Sequence, residues 1–220
     1  MHQSVQNLIS IQASIKSKLS NSIDKERIPK IIAVSKTFKI DHILPLINHG
    51  HLDYGENKVQ EAIEKWKDIK INNNKINLHL IGKLQTNKVK SAVNIFDYIH
   101  SLDSEKLANK ISKIQKELNV NRKLFIQVNI GNEMQKSGII IDEVLDFYNY
   151  CKELDLDIIG LMCIPPFNED SKKYFIKMNK INEKLKLKEL SMGMSSDYLE
   201  AIENNATFIR VGSGIFGERT

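Results

Sequence analysis

Short apolar runs alternate with amphipathic stretches along almost the whole chain, and no other sequence feature limits the fold as much. Residues 30–35 (KIIAVS) read as a buried strand. Further strands are expected at 52–54, ending in Gly55, at 78–81, ending in Gly82, and at 97–100, 123–130, 157–163, 189–192 and 207–211. Between them lie segments with apolar residues at helical spacing. Helices are expected near 40–49, at 57–69 (Val59, Ile63, Trp66), at 85–94 and at 104–118 (Leu107, Ile111, Ile114, Leu118). The series continues at 141–154 (Val144, Tyr148, Cys151), 170–185 (Tyr174, Met178, Ile181, Leu185) and 196–204. A leading helix over about 3–21 carries the stripe Leu8, Ile11, Ile15 and Leu19.

Strand–helix alternation implies a parallel sheet with helices outside it. Eight such units in 220 residues fit one compact (β/α)8 TIM barrel, a fold that runs from about 200 residues upward. The expected organisation is a single α/β domain over 1–220 with an extra N-terminal helix. A doubly wound open sheet is the other arrangement this alternation allows. In a barrel, the chemistry lies at the C-terminal ends of the strands. Those ends carry Lys36, the Glu56-Asn57 turn, Gly82, Ser101, the loop after Ile130, Met162 with Cys163, Ser191 to Ser195, and Gly212 with Ser213.

Composition removes several classes. With 27% charged and 41% hydrophobic residues, the chain is neither disordered nor fibrous. No run approaches the roughly 18 apolar residues of a membrane span. The N-terminus lacks a basic start followed by an apolar stretch, so no secretory signal is expected and a cytoplasmic location is. The net charge of +5 is spread through helices where Lys alternates with Glu and Asp, as in Glu61, Glu64, Lys65, Lys67 and Asp68. That pattern reads as a solvated surface, so no nucleic-acid partner is expected. Cys151 and Cys163 match no zinc spacing and read as small buried hydrophobes in a reducing compartment. The histidines form no HExxH pairing, and His49 with His51 lacks a third ligand, so no metal is expected.

The run Gly212-Ser213-Gly214-Ile215-Phe216-Gly217 spells GxGxxG, yet only three residues follow it. A dinucleotide fingerprint opens a βαβ unit and needs an acidic residue about 20 positions on. Two readings remain, a bare turn and a phosphate cradle. Barrels often hold phosphate between the loops after strands seven and eight, on a short extra helix, whose free N–H groups and dipole favour an anion. Gly193, Met194, Ser195 and Ser196 would complete such a cradle. Lys36 directly follows an apolar strand. Partial burial at that position would lower its pKa and make the amine a nucleophile towards an aldehyde. A lysine plus a phosphate cradle points to an aldehyde-bearing phosphate, either pyridoxal phosphate or a sugar phosphate. Arg210, inside the last strand, is either an outward salt-bridge partner or a donor to a ring nitrogen or carboxylate. Asn57 and His79 lie near strand ends and either shape the pocket or, for His79, serve the core.

KIIAVSKTF (30–38), YGENKVQE (54–61), HLIGKLQTNK (79–88), FIQVNIGNEMQKSG (125–138), GLMCIP (160–165), LSMGMS (190–195) and FIRVGSGIFG (208–217) together resemble the pyridoxal 5′-phosphate homeostasis protein family. The matches run in order over almost the whole chain. The resemblance implies a fold-type III barrel akin to the N-terminal domain of alanine racemase, without that enzyme's second, β domain. It implies pyridoxal 5′-phosphate held covalently by Lys36 as an internal aldimine, with Arg210 facing the pyridine nitrogen. Ser191, Gly212 and Ser213 would hold the phosphate with Met194 or Ser195 nearby, while Asn57, His79 and Met162 would line the pocket. Lys136 matches a lysine linked to cofactor transfer. Lys58 and Lys83 depart from the family pattern, as does GSG at 212–214 where GTA is usual; the hydroxyl at Ser213 is kept.

The family implies a cofactor-handling role: holding the cofactor, keeping the vitamin B6 pool in balance and passing it to pyridoxal-phosphate-dependent apo-enzymes. Racemisation needs acid–base groups on both faces of the substrate. In racemases of this type one comes from the second domain of a partner subunit, and the chain ends after its eighth unit. A guanidinium beside the ring nitrogen also stays charged and opposes protonation there. The expectation is therefore a monomeric carrier without a robust reaction of its own. A small pyridoxal-phosphate-dependent racemase or lyase is the alternative, and an aldolase-type sugar-phosphate enzyme a third.

Overall fold

The computed structural model of the protein describes residues 1–20 and 28–218. Eight parallel strands close into a barrel in sequence order, each strand paired with the next and the eighth with the first. They are β1 Lys30–Val34, β2 Asp53–Glu56, β3 Asn77–Leu80, β4 Tyr98–Leu102, β5 Lys123–Gln127, β6 Ile158–Met162, β7 Glu189–Met194 and β8 Phe208–Val211. The helices outside are α1 Gln3–Ser20, α2 Ile40–Asn48, α3 Val59–Asn72, α4 Val89–Ile95, α5 Glu105–Leu118, α6 Val144–Glu153, α7 Ser171–Lys184 and α8 Tyr198–Glu203. The one-turn α9, Ser213–Phe216, follows β8. The closed barrel replaces the open-sheet alternative. Residue 21, where the expected leading helix ends, lies outside the described residues.

Two apolar layers follow from the period of two along each strand. Outward residues such as Ile31, Ala33, Tyr54, Leu161, Ile209 and Val211 pack against the helices. Inward residues Ile32, Tyr98, Phe125, Met162 and Phe208 form a separate cluster inside the barrel. Gly55 faces that interior, where a Cβ would meet Ile32 Cγ2 at 2.8 Å and Ile81 Cδ1 at 3.2 Å. The barrel is therefore filled by side chains and is not a pore. α1 buries the expected stripe of Leu8, Ile11, Ile15 and Leu19, with Val5 added. Asn7 Nδ2 donates to the Ile215 carbonyl at 2.9 Å, which ties α1 to α9.

β5 is shorter than the sequence implies. The expected strand 123–130 stops at Gln127, because the chain loops out and returns to use the following backbone groups. Ile139 N–H donates to the Gln127 carbonyl and Asn129 N–H to the Ile139 carbonyl. Asn129 also bonds both backbone groups of Glu133 through its side chain, closing the loop. Among the described residues no helix is long and apolar enough to cross a membrane. None of their His, Cys, Asp or Glu side chains gather into a group that could hold a metal ion. Cys151 and Cys163 are free and buried, and burial pushes each thiol up to about 12, so neither is a ready nucleophile.

The register between β5 and β6 shifts between Leu124 and Phe125, and Gly160 sits beside that irregularity. A Cβ at Gly160 would collide with the Glu189 carbonyl of β7, and backbone cannot yield as a side-chain tip can. Gly160→Ala is expected to cost about 3 kcal/mol, in the range of overpacked core sites. Urea denaturation measures this, and an unchanged midpoint would show that the strands slide apart freely.

Candidate functional site

The same inward register that places Ile32 and Val34 inside the barrel carries Lys36 to its mouth. Lys36 is half-buried and lies in a turn closed by Phe38 N–H donating to the Ser35 carbonyl at 3.2 Å. Thr37 completes the turn at φ 70, in the left-handed region that a β-branched residue enters at a cost of about 1–3 kcal/mol. A cavity of about 410 Å³ opens here, lined by Val34, Lys36, Phe38, Gly212, Ser213, Gly217 and Glu218. Phe38 stacks on Phe216 with ring centroids 4.9 Å apart, which joins the turn after β1 to α9.

The turns after β7 and β8 meet beside the cavity, the second lining it with Gly212 and Ser213. Gly193, at φ 88, turns the chain out of β7 where a Cβ would meet Ala201 Cβ at 2.6 Å. Met194 N–H then donates to Asp197 Oδ1 at 2.6 Å. Ser195 Oγ accepts from both Gly212 N–H and Gly214 N–H, each at 3.3 Å. Two backbone donors thus converge on one oxygen, with the Ser213 side chain beside them on the cavity wall. The Ser213 hydroxyl and the glycine turn on one side of the cavity and Lys36 on the other suit a ligand with a phosphate at one end and an electrophilic carbonyl at the other. Among the described residues, Glu218 is the one acidic group on the lining.

Below the mouth a chain of hydrogen bonds crosses the barrel. Asp53 Oδ1 lies 3.0 Å from His79 Nε2, and His79 Nδ1 lies 3.0 Å from His100 Nε2. His100 Nδ1 is 2.9 Å from Ser191 Oγ, which accepts from Arg210 Nη1 at 2.7 Å. Arg210 Nη2 donates to the Cys163 carbonyl at 2.8 Å. Arg210 is 4% exposed, so it is not an outward salt-bridge partner. His79 stacks on Tyr98 at 4.3 Å and His100 on Phe125 at 4.2 Å.

Donor chemistry gives this chain one direction. Arg210 can only donate, and ionised Asp53 can only accept. Neutral His79 therefore carries its proton on Nε2 and accepts at Nδ1. His100 must then donate from Nε2 and accept at Nδ1 from the Ser191 hydroxyl. Charges fit this assignment. Burial raises the Asp53 carboxyl, but the His79 hydrogen bond and the nearby cations bring it below its ordinary value. Burial lowers His79 and holds His100 well below the usual 6.5.

The expected site residues thus divide. Lys36, Gly212, Ser213 and Ser195 meet at the mouth, with Met194 one residue from Ser195. Arg210, Ser191, His79 and Met162 lie inside the barrel and not on the cavity wall. Ser191 was expected at the phosphate; its hydroxyl is instead taken by Arg210 and His100. Of the two readings of His79, pocket-lining or core, its full burial and its bonds to Asp53 and His100 match the core one. Met162 belongs to the interior cluster. Asn57 packs by its backbone against Gly82, where a Cβ would collide with it. Sequence reasoning missed Asp53 and His100 as parts of the site. Their signal was a polar residue at an inward position of an otherwise apolar strand, as in the YIHSL of β4.

A barrel with a lysine after β1 and a glycine-rich turn after β8 matches the family model described as alanine racemase, N-terminal domain, over residues 12–220. A curated relative from Aquifex aeolicus, named pyridoxal phosphate homeostasis protein, is 38% identical over 204 residues, covering 88% of this chain and 89% of that protein. The PipY structure from Synechococcus elongatus, solved without PLP, is 32% identical with a TM-score of 0.86, covering 98% and 100% of the two chains. Its PLP-bound structure gives a TM-score of 0.80 at 33% identity, covering 93% and 99%. The chain belongs to the alanine racemase N-terminal domain family, and within it to the pyridoxal phosphate homeostasis proteins.

Two measurements check the buried chain. Nitrogen-15 spectra of histidine-labelled protein should show His79 and His100 neutral at pH 7, each protonated on Nε2; an Nδ1–H form at either breaks the direction derived above. Stability should also fall on acidification. Both histidines have folded pKa values below 6.5, so as pH drops under that value the unfolded chain binds protons first. Stability present above pH 6.5 is then lost, by up to about 1.4 kcal/mol per pH unit for each histidine. Urea midpoints at pH 7 and pH 5 measure it, and equal midpoints would contradict a neutral buried pair.

Proposed function

We propose that this protein binds pyridoxal 5′-phosphate at the cavity between β1 and β8 and takes part in keeping the cell's pool of that cofactor in balance. The observation that carries the reading is that Lys36, after β1, and the Gly212-Ser213 turn, after β8, line one cavity. The names of its relatives and the PLP-bound PipY structure support it.

In this reading Lys36 would hold the aldehyde carbon of the cofactor covalently through its amine, the carbonyl oxygen departing as water. Gly212, Ser213, Ser195 and the Met194 loop receive the phosphate. Arg210, held by Ser191, would face the pyridine nitrogen from inside the barrel, with His79 and Met162 supporting the pocket from the interior beneath it and Asn57 from beside Gly82. Arg210 remains a cation and a donor, so it gives the ring nitrogen no proton and no negative partner. A ring held that way is a weak electron sink. The role proposed is accordingly a carrier of a reactive aldehyde, releasing it to apo-enzymes that use it, with no robust reaction of its own. A monomer in the cytoplasm fits that role, and the free buried thiols suit a reducing compartment.

Borohydride reduction of protein loaded with pyridoxal 5′-phosphate, followed by peptide mapping, should place the pyridoxyl group on Lys36. Lys36→Ala should abolish the adduct and weaken binding at least about tenfold, while phosphate contacts leave residual affinity. A label spread over surface lysines would remove the assignment. Amino acids incubated with the loaded protein should be recovered unchanged; steady consumption that depends on Lys36 would make it a racemase or lyase.

A further inference from the structure

The peptide that launches Lys36 is gripped from behind the barrel wall. Ser35, the residue before it, is fully buried. Its hydroxyl donates to Glu56 Oε1 at 2.8 Å, and its carbonyl accepts from Lys65 Nζ at 2.9 Å. Lys65 Nζ and Trp66 Nε1 each also donate to Glu56 Oε1 at 2.9 Å. Lys65 and Trp66 come from α3, while Glu56 ends β2. One carboxylate oxygen thus takes three donors.

This pair is costly as a packing element. Glu56 is 0% and Lys65 11% exposed in their side chains, and Glu56 Oε2 makes no hydrogen bond among the described residues. An apolar pair of similar volume would fill the space without desolvating two charges. What an apolar pair cannot do is bond both oxygens of Ser35. The Ser35 carbonyl is also the acceptor that closes the turn through Phe38 N–H, and Thr37 holds its positive φ within that turn. Strained backbone persists only where its surroundings over-determine it.

We infer that the Glu56–Lys65 ion pair is a positioning device for Lys36: it fixes the Ser35 peptide, holds the strained 35–38 turn closed and so keeps the lysine amine over the cavity opposite Gly212. The functional half of this inference rests on Lys36 being the Schiff-base lysine; the mechanical half does not. Glu56, Lys65 and Trp66 act through Ser35 and do not line the cavity.

The test uses a double variant, Glu56→Gln with Lys65→Met, which removes the ion pair without leaving a lone buried charge and keeps an acceptor for Ser35 and Trp66. Amide hydrogen exchange of the cofactor-free protein reads the turn, and borohydride trapping against pyridoxal 5′-phosphate concentration reads the amine. Phe38 exchange should quicken about tenfold or more while Ile32 and Ala33 of β1 stay protected, and half-saturation of trapping should rise about tenfold. Lys65→Arg, which can still bond both oxygens, should restore both readouts to within about threefold of the parent. Unchanged exchange at Phe38 overturns the clamp, and so does equal acceleration across β1, which would mark a general structural role. If the double variant does not fold, Ser35→Ala decides by the same readouts, with a smaller expected change of about threefold. Absence of trapping at Lys36 in the unmodified protein would remove the function proposed above, while Phe38 exchange would still decide the clamp.

Discussion

Arg210 is a cation that cannot shed its charge, buried inside a barrel of eight strands, and the interior of the molecule is organised around satisfying it. Burying a charge is costly unless it is hydrogen-bonded. Two of its N–H groups, one on each terminal nitrogen, donate to the Ser191 hydroxyl and the Cys163 carbonyl. That hydroxyl is then committed to His100, His100 to His79, and His79 to Asp53. The positive end of this chain lies beneath the mouth, and its negative end lies at the start of β2. A polar layer crosses the middle of an apolar barrel without leaving the guanidinium unmet, and the mouth above it inherits a fixed positive group.

The mouth depends on strand geometry in a different way. All eight strands run parallel, so every loop that follows a strand opens on one face, and the period of two decides which side chains look inward there. Lys36 continues the inward register of Ile32 and Val34. Gly212 continues that of Phe208 and Arg210. β1 and β8 are direct neighbours, with Ile32 paired to Arg210, so an amine and a glycine turn from opposite ends of the sequence share one cavity. Glu56 and Lys65 act on the outer side of the same wall and set where the inward register ends.

Much of this was legible in the chain. The eight strands and the leading helix follow from hydrophobic period and turn residues, because each is a local property, whereas the short α9 was expected only by the habit of barrels to carry one there. Lys36 and Gly212 could be placed at the mouth because their strands end with them. The interior chain was not legible in the same way. His79 and His100 meet across β3 and β4, and Ser191 reaches both Arg210 and His100, so these bonds depend on stagger and on closure of the barrel. Neither can be read from one strand at a time. Ser191 was assigned by motif to the phosphate, whereas cross-barrel geometry gives its hydroxyl two other partners. The end of β5 was missed because the loop that competes for its backbone returns from Ile139, a contact no local pattern marks.

A crystal structure of the protein grown with pyridoxal 5′-phosphate tests the central claim most directly. The account predicts continuous density from Lys36 Nζ into the cofactor, its phosphate against Ser195, Gly212 and Ser213, and Arg210 still bonded to Ser191. Cofactor bound elsewhere, or a Lys36 side chain turned away into solvent beside an empty glycine turn, would contradict it.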